Sequence, residues 1–280
     1  MFGGSLRRTG RGLLTAAGHS LEGAEGAEAI HGLRKTLKRW RAFLRLVAPA
    51  AGDRRKALDV AARDVAQSLG RARDHQAALD ALGDLKAKAL DPTARSKMAE
   101  RLTALRDQAQ GKALPTSSGR AAARVLREAR QSLDVMPLDA METDAIASAL
   151  RHGYRRARRA VPDNWNEATP DELHALRKWV VVHRSQMELL KQQLPRLGRK
   201  SIRDAQRLRS QLGRYRDLVL LAQLTRKGGA LASWRNNLLP VIASRQKQHL
   251  AAASRCAAKV FAAKPKAIGK MVKTSPRGSR

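Results

Sequence analysis

Ile30-His31-Gly32-Leu33-Arg34-Lys35-Thr36-Leu37-Lys38-Arg39-Trp40-Arg41-Ala42-Phe43-Leu44-Arg45-Leu46-Val47 is the stretch from which the fold is read. Ile30, Leu33, Leu37, Trp40, Leu44 and Val47 recur at three and four residues, the spacing of one packed helical face. The polar side carries His31, Arg34, Lys35, Lys38, Arg41 and Arg45 in a single stripe, with Arg39 beside it. Like charges at helical spacing repel by roughly a few tenths of a kcal/mol per pair, and the stripe itself holds almost no acids. For one such helix, a solvated basic face is the plain reading.

Working outward, the stretch has a second copy. Leu173-His174-Ala175-Leu176-Arg177-Lys178 answers to Ile30–Lys35, and Leu212-Gly213-Arg214-Tyr215-Arg216-Asp217 answers to Leu69-Gly70-Arg71-Ala72-Arg73-Asp74. The offset from His31 to His174 is identical to the offset from Leu69 to Leu212. Two separate motifs at one offset indicate a duplicated helical unit, and two copies at so long a period do not make a solenoid. His174, Arg177, Lys178 and Arg184 take the positions of His31, Arg34, Lys35 and Arg41. The pair of basic helices is expected to face one shared groove. Arg73 and Arg216 are expected to reach it, and Asp74 and Asp217 to orient a neighbouring cation.

The composition agrees with helices. Aromatic residues are 3% of the chain and hydrophobic residues 43%, with Ala and Leu dominant. That mix feeds helices and cores but not an all-β sandwich or barrel. With 56 Lys+Arg against 24 Asp+Glu, the net charge of +32 calls for a polyanionic partner or surface. The single cysteine, Cys256, excludes a disulfide framework and a cysteine-rich metal site. No apolar run approaches the roughly 20 residues of a membrane span, and a cytoplasmic protein without membrane partners is expected. No phosphate-cradling glycine loop, paired carboxylates or metal-ligand spacing is present, so no cofactor, metal or catalytic residue is assigned.

The expected organisation is a first unit over 1–113, a second over 114–263 and a disordered basic tail over 264–280. In the first unit, Pro49 and Gly52 end the helix quoted above. Asp53 is expected to cap a helix reaching Leu69-Gly70, a further helix covers Arg71–Leu90, and Asp91-Pro92 starts another. Gly111–Gly119 is read as the linker between halves. In the second unit, helices cover Arg120–Leu133 and Asp139–Ala160. Thr169-Pro170-Asp171-Glu172 opens a helix running to Leu194-Pro195, and two more follow over Lys200–Thr225 and Leu231–Ala263. Arg155, Arg156, Arg158 and Arg159 form a further dense basic patch.

His31-x-x-Arg34-x-x-x-Lys38-Arg39-x-Arg41, its second copy from His174, and the two Leu-Gly-x-x-Arg-Asp segments resemble the CHAD domain, the conserved histidine α-helical domain. The resemblance covers residues 5 to 263 approximately. It implies two four-helix-type bundles related by pseudo-two-fold symmetry, with basic helices around a central groove. It also implies non-catalytic binding of inorganic polyphosphate at polyphosphate granules. The expected polyphosphate contacts are His31, Arg34, Lys35, Lys38, Arg39, Arg41, Arg45, Arg71, Arg73, Arg155 and Arg158 in the order of the chain, then His174, Arg177, Lys178, Arg184, Arg214 and Arg216. Val181 and Val182 depart from the pattern, standing where the first copy has Lys38 and Arg39. A stand-alone domain without a CYTH triphosphatase domain is expected.

Polyphosphate carries dense charge and no bases, which suits arginine forks and lysine point charges. A histidine donor on phosphate would strengthen binding as pH falls through about 6.5, the unperturbed imidazole value. The rival partner is nucleic acid, bound nonspecifically through the lysines of the tail; four Trp, three Phe and two Tyr are too few and scattered for a stacking platform. A phosphotransfer enzyme with His31 or His174 as nucleophile lacks a metal-binding carboxylate set.

Overall fold

The computed structural model describes residues 2–22, 27–69, 71–86, 89–110, 116–191 and 199–273. Among them no strand occurs. The helices are α1 (Phe2–Glu22), α2 (Ala27–Leu46), α3 (Ala48–Ala51), α4 (Arg54–Ser68), α5 (Arg71–Asp84) and α6 (Pro92–Gln110). They continue with α7 (Thr116–Val135), α8 (Thr143–Arg159), α9 (Pro170–Leu189), α10 (Arg199–Gln223), α11 (Arg235–Val260) and α12 (Pro265–Lys273).

The duplication is built into the helices. Displacing α2 by the offset from His31 to His174 lands on α9 at both ends, and displacing the start of α6 lands on the start of α11. By the same displacement α1 corresponds to α8, α7 to α12, and α4 with α5 to the single long α10. Packing repeats with the sequence: α1 lies on α2 as α8 lies on α9, α7 on α1 as α12 on α8, and α5 on α6 as α10 on α11. Across the repeats, α2 meets its own counterpart α9, and α5 meets α10. The result is an all-α fold with a pseudo-two-fold relation between the units.

Local chemistry explains the boundaries. α2 buries Leu33, Leu37, Trp40 and Leu44 of the face its spacing predicts, with Phe43 beside them and Val47 buried just past its end. A capping box starts α9: Thr169 Oγ1 accepts from the Glu172 amide at 3.2 Å, and Glu172 Oε2 accepts from the Thr169 amide at 2.8 Å. Asp91 caps α6 by accepting from the Ala94 amide at 2.8 Å. Asp53 does not cap α4; its backbone is already helical and its side chain makes no cap bond. Past α3, Gly52 turns the chain with φ of 51°, a left-handed conformation that suits glycine.

Several elements differ from the sequence reading. No expected element covers α1, yet it buries Leu6, Leu13, Leu14 and Ala17. Gly10 permits its close approach: a Cβ there would lie 2.9 Å from Leu133 and 3.0 Å from Phe43. Of the expected linker, residues 111–115 lie outside the described residues, whereas Ser117, Ser118 and Gly119 are in α7, which packs on α1 and α4. The helix over Arg71–Leu90 ends at Asp84, and α9 ends at Leu189, short of Leu194-Pro195. The stretch expected to be a disordered tail is helical over Pro265–Lys273. There α12 seats Ile268 and Val272 against α8, and Lys273 pairs with Asp144 at 2.7 Å; residues 274–280 lie outside the described residues.

Two buried clusters result. The larger joins α1, α2, α4 and α7 to α8, α9, α10 as far as Tyr215, the last part of α11 and α12. The smaller is a four-helix set contributed by both units, with Leu82 and Leu85 of α5, Met98 and Leu102 of α6, Leu218 and Leu221 of α10, and Leu238 and Ile242 of α11. The hydrophobic packing therefore interleaves the two units.

Candidate anion-binding site

The sequence motifs converge most clearly in the second unit. One turn into α9, His174, Arg177 and Lys178 line up on the side that faces α10. Gly213 of α10 leaves room for Arg177, whose Nε and Nη2 would lie 3.6 and 3.7 Å from a Cβ at that position. Arg216 of α10 joins the group, close enough to act on the His174 ring. His174 is half-buried. Burial first, then the charges of Lys178, Arg216 and Arg177, hold its imidazole at about 4, with Asp171 opposing weakly. Its Nδ1 is buried and has no hydrogen-bond partner among the described residues. Lys178 is exposed, and neither it nor Arg216 makes an ion pair among the described residues. The group is a cationic cradle around a neutral imidazole.

In the first unit, Arg34 is half-buried and its Nη1 donates to the Ala66 carbonyl near the end of α4. His31 and Lys35 are exposed; Lys38 and Arg39 are half-buried, and Arg39 Nε has no partner among the described residues. The side chains of Arg71 and Arg73 lie outside the described residues.

Other expected contacts are already engaged. The stripe on α2 is short of counter-charge in sequence because the counter-charge sits on another helix. Asp59 of α4 accepts from Arg41 Nε at 2.9 Å and from Arg45 Nη2 at 3.3 Å. Burial of Asp59 works against its ionisation, but the hydrogen bond from Arg41 and the charge of Arg45 outweigh it and hold the carboxyl below its usual range. Arg184 pairs with Glu188 at 2.5 Å, one turn on. Arg158 is exposed and donates to the Ala263 carbonyl at 3.3 Å. Arg155 is exposed beside His152, and Arg214 is exposed with Asp84 3.8 Å away. The guanidinium groups of Arg45 and Arg156 lie 5.3 and 5.5 Å from the Trp179 ring centroid, tying α2 and α8 to α9. Val182 is buried and Val181 half-buried.

Sequence reasoning missed two polar groups. Asp84, at the end of α5, accepts from Arg245 at 2.8 and 3.0 Å and lies 2.6 Å from His249 Nε2, whose Nδ1 is 2.7 Å from Gln211 Oε1. This strut joins the two units across 161 and 165 residues of sequence, beyond any local spacing signal. The second is His183, where the first unit has Trp40. It is wholly buried, edge-on to Tyr154 at 5.1 Å, and burial alone pushes it down to about 4. The repeat offset was the signal available: it sets His183 on the buried Trp40.

The CHAD domain family model matches residues 11–226 of this chain. Among solved structures, PptA from Streptomyces chartreusis superposes with a TM-score of 0.64 at 16% identity, covering 93% of this chain and 99% of that one. The CHAD domain from the plant Ricinus communis superposes with a TM-score of 0.56 at 16% identity, covering 98% and 92%. These likenesses bear on the fold, and each covers more of the chain than the segment the family model matches. No curated protein matches the chain. Among the described residues, no helix is long and apolar enough to cross a membrane.

Proposed function

The chain belongs to the CHAD domain family, and on that premise we propose that it binds inorganic polyphosphate without turning it over, in the cytoplasm, at polyphosphate granules. The observation that carries this reading is the meeting of His174, Arg177 and Lys178 with Arg216. A run of phosphates suits this cradle, with the arginines as forks and Lys178 as a point charge. The first unit offers Lys35, Lys38 and Arg39 on α2, and the chain would run between α2 and α9 on one side and α5 and α10 on the other.

Arg41, Arg45 and Arg184 serve chiefly to set the helices, since each already holds a carboxylate.

The test reverses charge where the fold does not depend on it. Arg34 and Arg177 are packed, whereas Lys35 and Lys178 are exposed. Lys35→Glu with Lys178→Glu is expected to weaken long-chain polyphosphate binding by about tenfold or more and to lower its salt dependence. Helicity by circular dichroism should not change. Undiminished binding by the folded double variant would contradict the assignment.

A further inference from the structure

A cavity of about 370 Å³ opens between the start of α9, the later half of α10 and the early part of α11. That volume suits a small molecule. Its lining includes Tyr215 and Leu239 together with Gln223, Gln246, Arg226 and Arg235, and no acid lines it. Tyr215 is only 9% exposed, yet its hydroxyl makes no hydrogen bond among the described residues. Arg235 is held in place by donating to the Thr225 carbonyl at 3.3 Å, while Arg226 is exposed and makes no ion pair among the described residues. Asp171 and Glu172 follow Pro170 at the rim, but Glu172 is folded back onto Thr169.

Neither the repeat nor the polyphosphate cradle accounts for these residues. At the equivalent positions of the first unit stand Ala72, Gly83 and Pro92 in place of Tyr215, Arg226 and Arg235. The duplicated scaffold is thus built without them in the first unit. On α10, Tyr215 points about 100° away from its neighbour Arg216, which faces His174. An aromatic residue and Leu239 lining one cavity with two side-chain amides and two guanidinium groups call for a ligand that is planar and heterocyclic at one end and anionic at the other.

We infer that this cavity binds a nucleotide. The base lies against Tyr215 and Leu239, Gln223 and Gln246 meet its donor and acceptor edge, and Arg226 and Arg235 hold the phosphate. The inference stands on the cavity alone and does not depend on the polyphosphate reading.

Calorimetric titration of the full chain with AMP, adenosine and inorganic phosphate tests it. AMP is expected to bind at least tenfold more tightly than either fragment. Leu239→Trp, which fills the cavity, and Arg226→Glu, an exposed change that leaves the fold intact, should each weaken AMP binding at least tenfold and leave tripolyphosphate binding within twofold. AMP binding no tighter than phosphate, AMP binding that survives both variants, or equal losses for AMP and tripolyphosphate would each overturn the assignment. Loss of polyphosphate binding in the Lys35 and Lys178 double variant with AMP binding intact would separate the two sites.

Discussion

His31 and His174 share one motif and differ in environment. His31 is exposed, whereas His174 is half-buried, and burial first, then the surrounding cations, hold its imidazole at about 4. The pH window expected from the ordinary imidazole value is therefore displaced downward. A bound phosphate chain stabilises the imidazolium and raises its pKa above about 4, so the bound protein takes up a proton and affinity rises as pH falls toward 4. Polyphosphate titrations between about pH 7 and about pH 5 should show this tightening in the wild type and a flatter profile in His174→Gln; identical slopes would remove His174 from the site. His183 makes a separate prediction. Its folded pKa of about 4 lies below the ordinary 6.5, so its contribution to stability is complete above 6.5 and is lost as pH falls toward 4. The loss is about 3 kcal/mol, read by denaturant unfolding, and His183→Phe should flatten it. Asp59 and Asp84, both held below their usual range, lose their contributions at lower pH still. At this scale, spacing picked out the motif residues of α2 and α9 but not Asp59, whose clamp on Arg41 is made from a different helix.

Elements with strong periodicity or a complete cap were legible. The apolar face of α2 and the Thr169–Glu172 box of α9 stand where the sequence puts them. α1 was not, because its glycines mask a helix whose buried side depends on Leu133 and Phe43 of other elements. α12 was hidden by its lysines and Pro265, although Ile268 and Val272 already show the four-residue spacing of a packed face. Its packing yields a truncation prediction. Compared with a chain truncated after Lys273, one truncated after Ala263 should lose two buried side chains from α8 and stability on the order of 3–5 kcal/mol. Equal melting of the two truncations would mean that α12 contributes nothing to the fold.

At the scale of the whole molecule, the constant offset between paired motifs disclosed the duplication and hence the symmetry. It did not disclose where the units meet. The contact of α5 with α10, the strut from Asp84 to His249 and the four-helix cluster shared by both units arise from pairings across most of the chain. The same assembly turns a net charge of +32, which would attract any polyanion, into cations held at fixed places. Whether those places fit a phosphate chain is tested most directly by titrating long-chain polyphosphate and duplex DNA, matched in total charge, against the protein over a series of salt concentrations. Polyphosphate is predicted to win clearly at near-physiological salt and to retain binding after DNA has dissociated. Equal competition, with both ligands fading together as salt rises, would show that the charge acts without shape and would contradict a polyphosphate site.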